Sequence, residues 1–364
     1  MSTVNGPSDV VWDVTYACPL RCAHCYSESG RRPARQLSHD EMLRVADAIV
    51  SLRPESVEFA GGEPLLIKGI CDVAERIARA GIAVNLYTSG WTFTSEMAEN
   101  VIRVFSQITV SVDGADADVH DRIRGRARSF ERAMNALALL DDLSGRRTAS
   151  GEEPVEFGID CAVIRGNFHQ MEKFCTAIAP RLPRLRFLTF GAAVPSGLAS
   201  RPGFSDHELL TNEQLRTLTS AEHTRRLRSL VPASVRVTTT DNFVLLMRPD
   251  VVARFGFPLM QVEPDGEVRA MPIYEGTVGS ILRESPAVLW ERAVARWSDP
   301  FVTETLSAVR SMADWAEAAR RIDHHFGSDE VRRRMNRRPA YPDGPNRGGR
   351  PAPPMKRDTS DTTV

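Results

Sequence analysis

Three cysteines stand in a C-x3-C-x2-C run, Cys18-Pro-Leu-Arg-Cys22-Ala-His-Cys25-Tyr26, directly after the apolar stretch Val10-Val-Trp-Asp-Val-Thr-Tyr16. Thiolate sulfur is a soft ligand suited to zinc or to iron–sulfur clusters. A closed structural zinc site or an ordinary cubane takes four protein ligands. With three, one metal corner stays open, which is the arrangement a catalytic centre needs. The other cysteines, Cys71, Cys161 and Cys175, are scattered through apolar segments without C-x-x-C spacing. In a reducing compartment they read as small buried hydrophobes rather than as disulfides.

The elements that position the triplet alternate along the chain. The cysteine loop joins a strand to a helix that opens on the capping box Ser38-His-Asp-Glu41, with Met42, Val45, Ala46 and Ile49 on one face. A second strand ends in Gly61-Gly62-Glu63-Pro64, a third in Thr88-Ser89-Gly90 and a fourth in Ser111-Val112-Asp113-Gly114. A fifth strand over 155–164 and a sixth over 185–190 follow, with helical patterns between them. Such alternation predicts a parallel sheet with right-handed crossovers, of six units where a complete barrel has eight. In that architecture function gathers at the C-terminal strand ends, where the cysteines and the Gly-Gly-Glu-Pro and Ser-Val-Asp-Gly motifs fall.

Composition narrows the partners. The 364 residues carry a formal charge of −1, with 42% hydrophobic and 26% charged residues. That balance gives no electrostatic case for nucleic acid or a membrane surface. No apolar run approaches the roughly 20 residues of a membrane span, and the first residues lack a secretory signal, so a cytoplasmic protein is expected. The predicted organisation is a flexible stretch over 1–8, a barrel over 9–200, a small C-terminal α+β extension over 201–326 and a disordered tail over 327–364. The tail is rich in Arg, Pro and Gly, and its arginines at 332–334 and 337–338 read as solvated.

The ordered set of Cys18-x3-Cys22-x2-Cys25 with His24 before the last cysteine, Gly61-Gly62-Glu63-Pro64, Thr88-Ser89-Gly90 and Ser111-Val112-Asp113-Gly114 resembles the radical S-adenosylmethionine (radical SAM) superfamily over about residues 9–190. The resemblance implies a partial (β/α)6 TIM-like barrel. It also implies one 4Fe–4S cluster held by Cys18, Cys22 and Cys25, whose fourth iron chelates SAM. Reductive cleavage of SAM would then yield a 5′-deoxyadenosyl radical that abstracts hydrogen, with a flavodoxin or ferredoxin as reducing partner. By the same resemblance Glu63 and the Gly62 backbone would bind the methionyl ammonium, and Ser111 and Arg124 the ribose or methionyl carboxylate. His24 would lie near the adenine. Ser89 stands where the family often carries Asn, with Asp113 serving the turn and Tyr26 packing either over the cluster or in the core.

A second likeness covers the C-terminal part. The stretch 262–272, then Gly276-Thr-Val-Gly-Ser280 and Leu289-Trp290, resembles the hairpin segment of SPASM or twitch extensions, which bind auxiliary clusters through cysteines. Here Met271 stands where a cysteine is expected, and no cysteine follows Cys175. Loss of the auxiliary cluster favours a redox-neutral outcome such as epimerisation, dehydration or decarboxylation. Cys161 could then return a hydrogen atom to the substrate, and Arg201, Arg248 and Arg254 could clamp a carboxylate or phosphate. The favoured substrate is a small molecule of specialised metabolism or antibiotic biosynthesis, such as a sugar, nucleoside or aminoglycoside intermediate. The alternatives are a maturase of a ribosomally made peptide and a non-catalytic zinc or iron–sulfur protein.

Overall fold

The structure, a computed structural model, describes residues 6–341. Its strands are β1 (Asp9–Thr15), β2 (Ser56–Gly61), β3 (Ala83–Thr88), β4 (Gln107–Ser111), β5 (Phe157–Val163), β6 (Phe187–Ala192), β7 (Arg236–Thr240), β8 (Leu259–Val262), β9 (Glu267–Arg269) and β10 (Thr277–Ser280). They form one sheet in the order β10-β9-β8-β1-β2-β3-β4-β5-β6-β7. Every pairing from β8 through β1 to β7 is parallel, and β8-β9-β10 is an antiparallel meander. Among the described residues the order runs from one edge to the other without closing. The architecture is the expected open α/β barrel, and the helices α1 (His39–Leu52), α2 (Ile70–Ala78), α3 (Ser95–Val104), α4 (Ala117–Arg124) and α5 (Ser129–Ala149) fall between strands as the pattern requires.

Period-two alternation sorts each strand's side chains. Val10, Trp12 and Val14 of β1, Val57 and Phe59 of β2 and Val84 and Leu86 of β3 turn to the helix layer and are buried. They meet Met42, Val45, Ala46 and Ile49, the predicted face of α1, whose Ser38–Glu41 capping box forms as read. Edge-to-face pairs Trp12–Phe59 at 5.4 Å and Phe59–Phe105 at 5.7 Å lock this layer. The alternate residues face the lumen.

The C-terminal half differs from the expected division. Residues 201–326 do not stand apart as an extension: β7 joins the β6 edge and β8 joins β1, so the sheet gains parallel strands on both sides. The 262–269 hairpin forms, but its first strand belongs to the main sheet. The reason is legible afterwards: Met260 and Val262 are a short apolar alternation that β1's open edge can bury. The expected tail is also ordered in part. Helix Asp329–Asn336 forms with Ser328 as its N-cap, and the chain is described to Tyr341. The remainder of that predicted tail and residues 1–5 lie outside the described residues. No helix among the described residues is long and apolar enough to cross a membrane.

At the hairpin's base Arg269 is wholly buried, its Nε 2.9 Å from Glu263 Oε1, its Nη1 donating to the Tyr274 carbonyl at 3.1 Å and its Nη2 3.5 Å from Glu275. Arg269→Ala would remove the buried cation shared by two carboxylates, leaving Glu263 only Arg35 and Glu275 only Arg334, and we expect a loss of about 3 kcal/mol in denaturant unfolding. A change under about 1 kcal/mol would show that the cluster of charges is relieved by relaxation.

Candidate functional site

The cysteine loop and the C-terminal strand ends enclose a cavity of about 420 Å³, lined by Cys18, Cys22 and Cys25 together with Gly61, Gly62, Ser89, Ser111 and Arg124. The three thiols thus open onto one space. Burial pushes the Cys18 thiol up to about 12 and the Cys22 thiol to about 11, in both cases with a contribution from neighbouring cysteines. Burial thus favours the neutral thiols, with Arg124 acting the other way at Cys22, and a bound metal would draw them to thiolates. Among the described residues no group of three or more His, Cys, Asp and Glu is gathered as a single ion requires. A cluster, in which each thiolate meets a different iron, is the metal centre this donor set fits.

Asp113, just beyond β4, is fully buried and anchors two residues of the cavity lining, His24 and Arg124. Its Oδ2 lies 2.6 Å from Arg124 Nε and 2.8 Å from His24 Nε2, while Oδ1 accepts the Ala162 N–H at 2.9 Å. Burial alone would raise this carboxyl, but Arg124 and His24 reverse the shift and hold it well below the ordinary carboxylate range. Arg124, the last residue of α4, also points Nη1 at Cys22 Sγ, 3.8 Å away. A guanidinium is therefore fixed beside a cluster-loop sulfur by a permanent counter-charge. Asp113 does more than serve the turn, and the sequence signal was its place in a strand-end motif that also supplies Ser111.

The Gly-Gly-Glu-Pro turn corrects the expected role of Glu63. Its side chain has no exposed surface and does not reach the cavity wall. One oxygen accepts from Thr88 Oγ1 at 2.8 Å, and the other from the Ser89 N–H at 2.9 Å and the Ser89 hydroxyl at 2.5 Å. Glu63 is thus the tie between two loops, and Ser89 is its partner, keeping the short polar group such a tie needs. What faces the cavity is the backbone of Gly61 and Gly62. A Cβ on Gly62 would meet the Ala17 carbonyl oxygen at 2.0 Å, so only glycine allows this turn to lie against the cysteine loop.

Other expected residues are placed elsewhere. Cys161 is 1% exposed in the helix-facing core, because on β5 it alternates with Asp160 and Ala162, which line the cavity. Its thiol is reached by Asn167 Nδ2 at 3.7 Å, and the hydrogen-donor reading is withdrawn. Arg201 is buried, donating to the Ala23 and Pro339 carbonyls. Arg248 pairs with Asp250, and Arg254 stacks on Phe255, so none of the three forms an anion clamp in the cavity. Met271 is packed in the core. Tyr26 lines the cavity and donates to Asp13. Asp13 also accepts from Gln261, whose carbonyl receives the Ile273 N–H. Ile273, a β-branched residue at φ +68°, stands at the cavity wall in a strained conformation held by this network. The sequence reading missed Glu58 and Asp160, two lumen carboxylates whose signal was a charge at an inward position of an otherwise apolar strand.

The cysteine loop is clamped from the far end of the chain. Glu28, at φ +55° and nearly inaccessible, accepts from Arg334 Nε at 3.0 Å and Arg338 Nη2 at 2.8 Å. Arg334 also pairs with Glu275, and Arg35 of the loop reaches Glu263, Asp265 and Glu330. Arg334→Ala with Arg338→Ala is expected to lower the iron retained after reconstitution while leaving the far-ultraviolet circular dichroism unchanged. A full iron complement in that variant would show that the clamp does not hold the loop. For Cys161→Ala we expect about 1 kcal/mol of lost stability and an unchanged product; an altered product would return Cys161 to the chemistry.

Residues 12–151 match the sequence profile described as the Radical SAM superfamily. The chain is 28% identical over 284 residues to the mycofactocin maturase MftC of Mycolicibacterium smegmatis, covering 74% of this chain and 65% of that one. It is 33% identical over 142 residues to the AdoMet-dependent heme synthase of Methanosarcina barkeri, covering 38% and 41% respectively. It therefore spans less than two thirds of the length of either relative. Among solved structures, Streptococcus suis SuiB bound to precursor peptide SuiA superposes with a TM-score of 0.58 at 13% identity, over 84% of this chain and 68% of that one. Residues 12–151 thus match the radical SAM profile over the strands that carry the three-thiol loop and the strand-end motifs, and the fold agrees with that match.

Proposed function

We propose that this chain is a radical SAM enzyme that modifies a peptide. The observation that carries the enzymatic part is the convergence of the three loop thiols, the Gly61–Gly62 backbone, Ser111 and Arg124 on one cavity. Cys18, Cys22 and Cys25 would hold a 4Fe–4S cluster, and the Gly62 backbone, Ser111, Arg124 and His24 would bind SAM. When bound, these cofactors supply reductive cleavage of SAM and with it hydrogen abstraction from carbon.

The chain's own residues do the positioning. Asp113 keeps Arg124 charged and aimed at the loop, Glu63 holds the Gly61–Gly62 turn against Ala17, and Leu20, Val194, Leu245 and Ile273 wall the cavity against water. The peptide part is supported by the relative named a maturase and by the fold shared with SuiB. It is preferred to the small-metabolite expectation, although a relative is named a heme synthase and a fold alone does not fix the substrate.

Anaerobic reconstitution should load about four iron and four sulfide per chain. A reductant should then drive SAM to 5′-deoxyadenosine, and Cys22→Ala should lose both the iron and the cleavage. Stoichiometric zinc with no SAM turnover would sink the enzymatic reading. Incubation with peptides encoded beside the gene should raise 5′-deoxyadenosine formation and shift the peptide mass; stimulation by small metabolites alone would overturn the peptide assignment.

A further inference from the structure

The lumen carries a charge pattern that the cofactor contacts leave unexplained. Glu58 of β2 and Asp160 of β5 both line the cavity. The cavity's basic residues, Arg124 and His24, are committed to Asp113. Among the described residues neither Glu58 nor Asp160 has an ion-pair partner, and the Asp160 side chain accepts no hydrogen bond. Glu58 Oε1 receives Ser56 Oγ at 2.8 Å and Asn85 Nδ2 at 3.0 Å, but Oε2 is buried without a partner. Between them on β3 stands Tyr87, 37% exposed into the same space and, among the described residues, with no hydrogen bond to its hydroxyl.

Desolvating carboxylates without counter-charge is costly, and a fold retains such groups chiefly where a ligand completes them. Burial, with Asp113 nearby, pushes Asp160 up to about 6, and burial also raises Glu58. Both shifts follow chiefly from burial. The walls around these groups, Val11, Ala60, Ala162 and Leu259, are small or apolar, which suits an alkyl stem ending in a cation.

We propose that Glu58 and Asp160 form a subsite for a positively charged side chain of the substrate, an ammonium or guanidinium, with the Tyr87 ring as its wall. The inference rests on the peptide-modifying reading, in which the group is a lysine or arginine close in sequence to the residue attacked. The same chemistry in a free amine is the other source the test must separate. Either carboxylate accepts an ammonium or a forked guanidinium, and the ring face between them adds cation–π attraction.

The reconstituted holoenzyme with SAM is titrated calorimetrically at neutral pH with N-acetyl-lysine amide, N-acetyl-arginine amide and the neutral N-acetyl-norleucine amide. The cationic amides are expected to bind about tenfold tighter than the neutral one. Glu58→Gln with Asp160→Asn should erase that preference while cluster content and the SAM Kd hold. No preference in the wild type, or a preference that survives in the double variant, overturns the proposal. A weakened SAM Kd in Asp160→Asn with unchanged amide binding assigns the carboxylate to the cofactor and equally overturns it. If the double variant loses its cluster, each single variant must still show a reduced preference. Binding of n-butylammonium as tight as the lysine amide would keep the cation subsite and remove the peptide reading.

Discussion

Asp113 has no solvent access, and three separate segments converge on its carboxylate: His24 from the cysteine loop, Arg124 from the end of α4 and the Ala162 N–H from β5. Its main chain joins in, donating to His120 Nδ1 and accepting from Asn167. An isolated buried carboxylate would take up a proton. Two basic partners and a backbone donor keep it charged, and that charge in turn keeps Arg124 in place against its own desolvation cost. The electrostatics beside the cluster loop are therefore built in before any cofactor arrives. Preorganisation of this kind spares the reaction the cost of turning dipoles and charges at the moment they are needed.

A second set of constraints acts on the loop itself. A segment with few large apolar residues between Ser27 and Gln36 cannot hold three sulfurs in place by packing alone. The protein uses long-range charge pairs instead, from Arg334 and Arg338 to Glu28 and from Arg35 to Glu263, Asp265 and Glu330. These pairs are mostly shielded from water, where breaking one partner away is far more damaging than at the surface. The hairpin joins the same system, since Arg269 links Glu263 with Glu275, and Glu275 meets Arg334. The C-terminal region thus serves as a brace for the cysteine loop, a use that does not require auxiliary cysteines.

The cavity lining is of two kinds. Strand-end backbone and the cysteine loop offer polar groups and thiols. The inward residues on the strands offer two carboxylates, a phenol and small apolar side chains. Groups carried on rigid strands are held in place more precisely than groups carried on loops.

Much of this was legible from residue order. The strand–helix alternation, the Ser38–Glu41 cap, the inward-facing motifs at strand ends and the chemical character of Cys18, Cys22 and Cys25 all follow from local pattern, because period, capping and ligand softness are properties of neighbours in the chain. What could not be read locally depends on which distant partner wins. Glu63 was expected to meet a ligand but is saturated by Thr88 and Ser89. Cys161 could by sequence face either way on its strand, and it takes the buried helix-facing side, one register position from the lumen. Residues 201–326 were expected to stand apart but complete both edges of the sheet, and the arginines at 334 and 338 were expected in solvent but pair with Glu28. A strand's two faces look alike in sequence when both are buried, and a charge carries no mark of its eventual counter-ion. Sequence alone therefore determined the barrel and its three-thiol loop, while only the tertiary structure decided which carboxylates brace that loop and which are left facing the cavity, because desolvation and pairing are settled by folded neighbours rather than by chain neighbours.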